Sequence, residues 1–282
     1  MKILVTGADG FTGQYFTILA TNMGHVVVPL KANLNDIKSL NDEVLSVAPD
    51  AVLHLAAISF VGHENDEEFY RVNVIGTTNL LNSIALLKPN KPRVLIASSA
   101  NVYGTPVIEA INESVNPAPI NHYAASKLAM EFMVKTWFDQ LPIVITRAFN
   151  YTGVGQHENF LVPKIVAHFK RGDKIIELGN LDVSRDFSDV RDIVSAYLDL
   201  LKSDSRSLIV NVCSGKTVSL HEVIQKMNSI AGYEIGVRVN PAFVRSNEIA
   251  KLCGNNDYLK ALIGYSPKYS FDQTLLSMFN IK

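Results

Sequence analysis

Cysteine is scarce in this chain of 282 residues, which contains only Cys213 and Cys253. The two do not form a metal-like Cys-x-x-Cys pair, and two cysteines cannot build a disulfide framework. Because free cysteines persist in reducing compartments, we expect the protein to be cytoplasmic.

Excess charge and long apolar runs are also missing. The formal net charge is −1, so neither nucleic acid nor a membrane surface is an expected partner. No apolar stretch reaches the roughly 20 residues that span a bilayer. The longest, 51–62, is interrupted by His54, which we interpret as a core residue inside a strand. A strand is expected from Lys2, so we expect no signal peptide before the fold. The 48% of apolar residues indicates a globular protein with a substantial core.

Metal-binding motifs are lacking too. The seven histidines include no His-Glu-x-x-His pattern. Asp186, Asp189 and Asp192 recur every three residues and could indicate a metal site, but Arg185 and Arg191 stand beside them. We favour a helix start with local ion pairs, and we expect no metal.

What is present is a regular alternation of strand and helix patterns through the first 150 residues. Continuously apolar runs predict buried strands at 2–5, 26–30, 51–55, 93–97 and 143–147. Helical patterns lie between them, at 11–23, 37–48, 67–87 and 123–137. This alternation predicts an α/β fold, a Rossmann-type doubly wound parallel sheet with helices on both faces.

The rhythm changes after Asn150. Further helices are expected at 163–170 and at 190–201, the second capped by Asp189, and a strand is expected at 208–212.

Two domains are expected from this change. We assign 1–150 to a dinucleotide-binding domain and 151–282 to a smaller α/β lobe that binds the substrate. The segment 186–213 is expected to return to the first domain.

A glycine-rich turn follows the first strand, with Gly7, Gly10 and Gly13 three residues apart. The first glycine allows the tight turn, the second lets the backbone approach a pyrophosphate, and the third lets the helix pack closely. The helix start at Phe11 and Thr12 would then face the phosphates. The pattern therefore predicts a dinucleotide site.

The end of the second strand bears on the choice of cofactor. An acid there would bind the ribose 2′-hydroxyl of NAD, but the sequence after Leu30 has no acid before Asp36. Lys31 could instead neutralise a 2′-phosphate, although a solvated lysine is the simpler alternative. We expect NADP, with NADPH preferred and NADH possible.

A proton-transfer pair is predicted at Tyr123 and Lys127, which are four residues apart and so share one side of a helix. Tyr-x-x-x-Lys alone is commonly helix surface, but here it follows a serine run. An ammonium beside a phenol favours the phenolate, so proton exchange near neutral pH is expected. Ser99 would hold a carbonyl oxygen, with Ser98 as the competing choice. Tyr123 would donate the proton, and Lys127 would hold the nicotinamide ribose.

Taken together, the motifs resemble the extended short-chain dehydrogenase/reductase (NAD-dependent epimerase/dehydratase) family, which modifies nucleotide sugars. The resemblance covers essentially the whole chain and is carried by residues 6–13, 54–57, 73–77, 98–104, 123–127 and 185–187. It implies that Ala56 and Ala57 line the cofactor, and that hydride is delivered to C4 of a nucleotide-linked 4-keto-6-deoxyhexose. The reductases that convert GDP-4-dehydro-6-deoxy-D-mannose to GDP-D-rhamnose are the members it resembles most.

Departures from the family pattern narrow the reaction. Dehydratases of the family carry acids soon after the catalytic serine or threonine, where this chain has Ala100 and Asn101. Neither can act as an acid or base, so reduction is expected rather than dehydration. Reduction of a dTDP-linked 4-keto sugar and C4 epimerisation stay open. A non-catalytic dinucleotide-sensing protein is disfavoured by the intact serine, tyrosine and lysine.

The resemblance also assigns substrate contacts. Arg185 would meet the diphosphate, which suits a guanidinium fork, and Asn150 and Asn159 would contact the nucleotide. Arg245 would bind phosphate and Glu248 the ribose hydroxyls, unless the two form only a surface i,i+3 ion pair.

Finally, the resemblance implies a homodimer. Family members commonly pair through the helix that contains Tyr123 and the helix at 67–87, which together form a four-helix bundle. This expectation rests on analogy alone.

Overall fold

The computed structural model describes residues 1–59, 65–89, 91–244 and 249–281. Its strands are β1 (Lys2–Thr6), β2 (Val26–Pro29), β3 (Ala51–His54), β4 (Arg93–Ser99), β5 (Ile143–Ala148), β6 (Asn150–Thr152), β7 (Ile175–Leu178), β8 (Ser184–Asp189), β9 (Leu208–Val212), β10 (Thr217–Ser219), β11 (Gly236–Val239) and β12 (Lys251–Leu252). Its α-helices are α1 (Phe11–Asn22), α2 (Ile37–Val47), α3 (Asp66–Tyr70), α4 (Thr77–Ala85), α5 (His122–Lys135), α6 (Leu161–Arg171), α7 (Val190–Lys202), α8 (Leu220–Ala231), α9 (Asp257–Ile263) and α10 (Phe271–Asn280).

The central sheet has six parallel strands in the order β2-β1-β3-β4-β5-β9. The predicted Rossmann-type doubly wound sheet is therefore confirmed. Because β1 has the second strand on one side and the third on the other, the winding direction reverses there. In such sheets ligands bind beyond the carboxyl ends of the strands at this switch point.

Alternation along the strands places apolar side chains on both faces of the sheet. In β1, Ile3 and Val5 pack with Phe16 and Tyr197 on the face covered by α1 and α7. Leu4 packs on the other face, which α2, α4 and α5 cover. A sheet buried on both sides explains why its strands read as continuous apolar runs.

Two sequence predictions about these elements were wrong in part. The strand at Val26–Pro29 lies at the sheet edge, and Val26 is 60% exposed, so this strand is not buried as expected. The helix expected over 67–87 is three segments, because a π-helical turn at Arg71–Gly76 separates α3 from α4. Thr77, the first residue of α4, donates its hydroxyl hydrogen to the Asn73 carbonyl of that turn at 2.7 Å.

A second body of structure follows β5. It contains a sheet in which β8 pairs with β10, β12 and β6, and a parallel pair of β7 and β11. Helices α6, α8 and α10 supply its core, including Ile165, Val223 and Leu275. The segment expected to return contains α7, which packs against α1, and β9, which extends the central sheet. Within the described ranges, no helix is long and apolar enough to cross a membrane.

Candidate active site

The glycine turn after β1 has the close backbone contacts that its spacing predicted. Gly7 has φ +67°, a left-handed conformation, and a Cβ there would lie 3.0 Å from the Ala56 nitrogen. A Cβ on Gly13 would lie 2.2 Å from the Gly7 carbonyl oxygen. No larger residue fits either position without moving the backbone, so the turn holds α1 tightly against the sheet.

The start of α1 is open to a ligand. Gly10 is the N-cap residue of α1 and is exposed, and no side chain caps the helix there. Unsatisfied amides at a helix start attract phosphate groups. The Thr12 hydroxyl lies 2.9 Å from the Tyr151 hydroxyl, and the Phe11 ring stacks on that tyrosine. These residues fit a pyrophosphate, although Tyr151 was not among the predicted site residues.

Ala56 and Ala57 follow β3 on the same edge. The amides of Leu55 and Ala56 donate to the Thr6 hydroxyl at 3.1 and 3.0 Å, which fixes this turn to the end of β1. Both alanines are half-buried. Their position beside the glycine turn is compatible with the predicted cofactor role, which stays a prediction.

The predicted catalytic side chains come together at the carboxyl end of β4. Asn121 caps α5 by accepting from the Ala124 amide, so that Tyr123 lies in the first turn of the helix. The Tyr123 phenol is buried, and the Ser99 hydroxyl lies near enough to favour its charged form. Lys127, one turn later, donates to the Ala97 carbonyl at 2.8 Å. The three side chains therefore border one space at the sheet edge.

The two candidate serines are adjacent in β4, so their side chains point to opposite faces of the sheet. They end β4, whereas the sequence prediction had the strand stop at Ala97. Ser99 meets Tyr123 and accepts the Asn101 amide at 3.2 Å. Ser98 instead donates to Glu131 at 2.6 Å. The geometry thus favours Ser99 over Ser98 as the carbonyl ligand.

The protonation of Tyr123 differs from the sequence prediction. Burial raises the pKa of Tyr123 to about 12, and the hydrogen bond with Ser99 opposes that rise only in part. The sequence predicted that the Lys127 ammonium would lower the pKa of Tyr123. That prediction was wrong, because desolvation of the phenol dominates. Tyr123 therefore holds its proton at neutral pH, as a proton donor must.

Burial acts on Lys127 in the opposite direction. It lowers the pKa of Lys127 to about 8, although the Glu131 carboxylate favours the charged form. Since an unfolded lysine titrates near pH 10.4, the unfolded chain binds more protons between these values. The free energy of unfolding should then rise with pH over that window, because the folded protein no longer buries an ammonium.

This predicts a measurable difference between wild type and Lys127→Met. From about pH 7.5 to about pH 9.5, the wild type should gain on the order of 1–2 kcal/mol of unfolding free energy relative to the variant. Urea unfolding at the two pH values gives the difference. Lys135→Met, on an exposed turn of the same helix, is the control and should show no such gain. A parallel pH response of Lys127→Met and wild type would contradict the buried ammonium.

A buried ion pair lies directly behind these residues and was not predicted. The Glu131 carboxylate receives two donors from the Arg147 guanidinium, at 2.6 and 3.0 Å. Glu131 is fully buried and Arg147 is 4% exposed. Glu131 lies one turn after Lys127, and Arg147 stacks over the Tyr103 ring. The pair links α5 to β5 beneath the site.

The histidines near the site have structural partners. The ring of His54 is buried between the hydroxyls of Thr6 and Thr77, at 2.7 and 2.8 Å, which confirms its interpretation as a core residue. Burial lowers the pKa of His54 to about 3, and the Lys127 charge adds to that effect. His122 is exposed and bonds to Tyr70 at 3.1 Å.

The turn after β2 contains an acid that the sequence did not reveal. Lys31 is exposed, as its predicted cofactor role requires. However, the Glu43 carboxylate, from α2, accepts the backbone amides of Lys31 and Ala32. The absence of an acid before Asp36 in the sequence therefore does not mean the absence of an acid at this turn.

The residues predicted to contact the substrate lie in separate elements, unlike the three predicted catalytic residues. Asn150 begins β6 and is exposed, and Asn159 is exposed in the turn before α6. Arg185 lies in β8 and donates to the carbonyls of Ser184 and Ala250. Arg245 and Glu248 lie outside the described residues. These substrate roles stay predictions.

The three spaced aspartates have separate partners. Asp189 accepts the Arg191 amide at 2.8 Å, which confirms the predicted cap of α7. Asp186 accepts amides of Ser214 and Gly215, and Asp192 accepts amides on the approach to α10. Within the part of the chain that the structure describes, no three such groups converge as metal ligands.

The chain is similar to enzymes that act on GDP-linked sugars. The family model for GDP-mannose 4,6 dehydratase matches residues 27–278. GDP-6-deoxy-D-talose 4-dehydrogenase of Aggregatibacter actinomycetemcomitans is 36% identical over 98% of this chain and 96% of its own length. GDP-6-deoxy-D-mannose reductase of Pseudomonas aeruginosa is 33% identical over 99% of this chain and 96% of its own.

A solved structure agrees in fold. RMD from Pseudomonas aeruginosa, complexed with NADPH, superposes with a TM-score of 0.89. It is 30% identical, and the match covers 99% of this chain and 97% of that one.

Proposed function

We propose, from the premise that the chain belongs to the GDP-mannose 4,6-dehydratase family, that it reduces the C4 ketone of GDP-4-dehydro-6-deoxy-D-mannose with NADPH. The extended short-chain dehydrogenase/reductase family expected from the motifs is confirmed. The chain is an NAD(P)-dependent oxidoreductase, like these relatives. The particular sugar and the direction of the reaction are the proposal.

One observation carries the proposal. A buried phenol whose pKa is raised to about 12 borders the same space as a serine hydroxyl and a lysine, at the sheet edge next to the glycine turn. Reduction of a ketone needs a proton donor at the oxygen. A tyrosine that is protonated at neutral pH supplies it.

Each of the three side chains has a separate role in the proposed reduction. When bound, the nicotinamide cofactor supplies the hydride to C4 of the sugar. The Ser99 hydroxyl orients the ketone oxygen, and Tyr123 transfers its proton to that oxygen. The Lys127 ammonium stabilises the phenolate that remains and would hold the nicotinamide ribose. Proton donation by a positioned group contributes roughly 10²–10⁴-fold to the rate.

The family is named for a dehydratase, but this chain lacks the side chains that dehydration requires. Ala100 is buried and Asn101 lies half-buried in the short 3₁₀ turn after β4, directly following the serine that would hold the substrate. Neither side chain can remove a proton from C5 or protonate a leaving hydroxyl. Reduction is the chemistry that the remaining groups support.

The sugars named for the two relatives are both related to a single 4-keto sugar. 6-Deoxy-D-talose and 6-deoxy-D-mannose share their configuration at C2, C3 and C5 and are epimers at C4, so oxidation at C4 converts both into the same 4-ketone. GDP-D-rhamnose is the product we propose. GDP-6-deoxy-D-talose is a second candidate, favoured by the 36% identical relative.

An assay with purified protein tests this function. GDP-4-dehydro-6-deoxy-D-mannose and its dTDP-linked counterpart are each incubated with NADPH, and the loss of reduced cofactor is followed. We expect oxidation of NADPH with the GDP sugar, and a large diaxial H3–H4 coupling in the NMR spectrum of the product. A small coupling would indicate the talose product instead. Activity only with the dTDP sugar, or C4 epimerisation without cofactor consumption, would contradict the proposal.

The nucleotide contacts in this proposal lie in the substrate lobe and at its junction with the first domain. Arg185 binds the diphosphate, and Asn150 and Asn159 contact the nucleotide, supported by their exposed or half-exposed positions. Arg245 and Glu248 are proposed for phosphate and ribose from the motif alone.

A homodimer is part of the proposal. Large apolar side chains are exposed on the helices expected to pair: Ile75 is 52% exposed and Phe132, on α5, is 60% exposed. Phe132→Asp should convert a dimer to a monomer in light scattering after size exclusion, because it buries a charge at the interface. Ile18→Asp is the matched control, because Ile18 is 62% exposed on α1, away from the helices expected to pair, and this variant should stay dimeric. A monomeric wild type would contradict this.

The cytoplasmic location stays a prediction. Its support is that both Cys213, which is buried, and Cys253, which is half-buried, are free thiols in the structure.

A further inference from the structure

The turn after β2 holds an anion-binding arrangement that is filled by a side chain of the protein itself. One oxygen of the Glu43 carboxylate accepts the Ala32 amide at 2.6 Å and the Lys31 amide at 3.2 Å. The other oxygen accepts the Lys31 amide at 2.9 Å. Successive amides that converge on one oxygen form a nest, which binds anions.

The position of this nest gives it a role. It lies just beyond the carboxyl end of the second strand, where the adenosine ribose of a dinucleotide binds in folds of this type. A ribose 2′-phosphate, the group that distinguishes NADP from NAD, is an anion that would use such amides. Here a carboxylate already accepts both amides. Of the two residues that supply these amides, Lys31 carries a positive charge and Ala32 carries none.

We propose that Glu43 is a cofactor-specificity residue, which restrains the preference for a 2′-phosphate that Lys31 promotes. Its negative charge repels the phosphate and competes with it for the two amides, whereas a ribose 2′-hydroxyl can donate to the same carboxylate. The wild-type protein therefore uses both reduced cofactors. This deepens the proposed function and rests on it only in that a nicotinamide cofactor is used.

The experiment compares the ratio of kcat/KM for NADPH to that for NADH across single variants. Glu43→Gln keeps an acceptor for the amides but removes the charge, so the ratio should rise about tenfold, the size of a partly screened charge interaction near a protein surface. Lys31→Ala should lower the ratio by a similar factor. Asp42→Asn is the matched control, since it removes an equal charge from the neighbouring exposed residue, and should leave the ratio within about twofold.

Cofactor binding provides a second readout that needs no turnover. Dissociation constants for NADPH and NADH, from fluorescence titration of each variant, should change in the same ratio as the kinetic constants. Thermal unfolding of the variants separates folding from recognition. If Glu43→Gln weakens both cofactors equally and lowers the melting temperature, Glu43 only supports the turn and the inference is overturned. An unchanged ratio, or an equal rise in Asp42→Asn, overturns it as well.

The two proposals can fail separately. A protein that binds both cofactors but does not reduce the GDP sugar would contradict the proposed function while the binding ratios still test Glu43. A protein that reduces the sugar with an unaltered ratio in Glu43→Gln would contradict only the role of Glu43.

Discussion

Replacing Tyr123 with phenylalanine is expected to lower kcat for ketone reduction by about 10²–10⁴-fold, the effect of losing a positioned proton donor. The substitution removes one oxygen from a side chain that is 8% exposed and packs against the Phe69 ring at 6.0 Å between centroids. The phenylalanine ring fits the same space, so the fold should be retained. Of the remaining groups, the Ser99 hydroxyl is a much weaker acid than a phenol, and the Lys127 ammonium is engaged by the Ala97 carbonyl at 2.8 Å.

Two measurements isolate the chemistry from binding. The dissociation constant for NADPH should stay within about twofold of wild type, because the glycine turn is untouched. Tyr70→Phe is the matched control, since it removes the same hydroxyl from a tyrosine that bonds to the exposed His122. It should leave kcat nearly unchanged. A Tyr123→Phe protein that keeps more than about a tenth of wild-type kcat would show that another group donates the proton.

The Glu131→Ala variant is expected to lose about 3–5 kcal/mol of unfolding free energy. The substitution leaves the Arg147 guanidinium charged and buried, with its carboxylate partner removed. The Ser98 hydroxyl, which donates to the same carboxylate at 2.6 Å, also loses its acceptor. A buried charge without a partner is much more costly than the pair that it replaces. Chemical denaturation measures the loss.

The exposed pair of Arg171 and Glu158 provides the comparison for that prediction. Their side chains are 47% and 60% exposed, and Glu158→Ala should cost less than about 1 kcal/mol. The double variant Glu131→Leu with Arg147→Met should recover much of the loss, because it leaves no charge unpaired. Equal costs at Glu131 and Glu158 would contradict a desolvated pair behind the site.

Local patterns explain what could be predicted from the sequence. The glycine turn and the tyrosine–lysine pair each depend on residues within about one or two helical turns, whose spacing fixes their relative placement. The continuous apolar strands likewise report burial on both faces of the sheet. These features sufficed for the fold, for the family and for the convergence of Ser99, Tyr123 and Lys127.

Contacts between distant segments explain what could not. Glu43 reaches the Lys31 turn from the next helix, and Arg147 meets Glu131 only because β5 passes beneath α5. No spacing in the chain indicates either contact. The pKa of Tyr123 was mispredicted for the same reason: burial, which depends on the assembled fold, outweighs the lysine that the sequence places nearby.

Two further features could not be predicted from the sequence: the strand at the edge of the sheet and the irregular turn between two helices. Val26–Pro29 has the apolar composition of a central strand, but which strand ends the sheet is decided by topology. The π-helical turn at Arg71–Gly76 places Asn73 where its side chain bonds to Ile58 and to Ser126 of α5. The apolar periodicity of the segment gave no sign of that turn.

Isotope transfer tests the central claim most directly. The protein is incubated with GDP-4-dehydro-6-deoxy-D-mannose and NADPH that carries two deuterium atoms at C4 of the nicotinamide, and the sugar product is examined by NMR and mass spectrometry. The account predicts one deuterium at C4 of the sugar for each cofactor oxidised. A product with only protium at C4, or a sugar altered with no cofactor consumed, would contradict it.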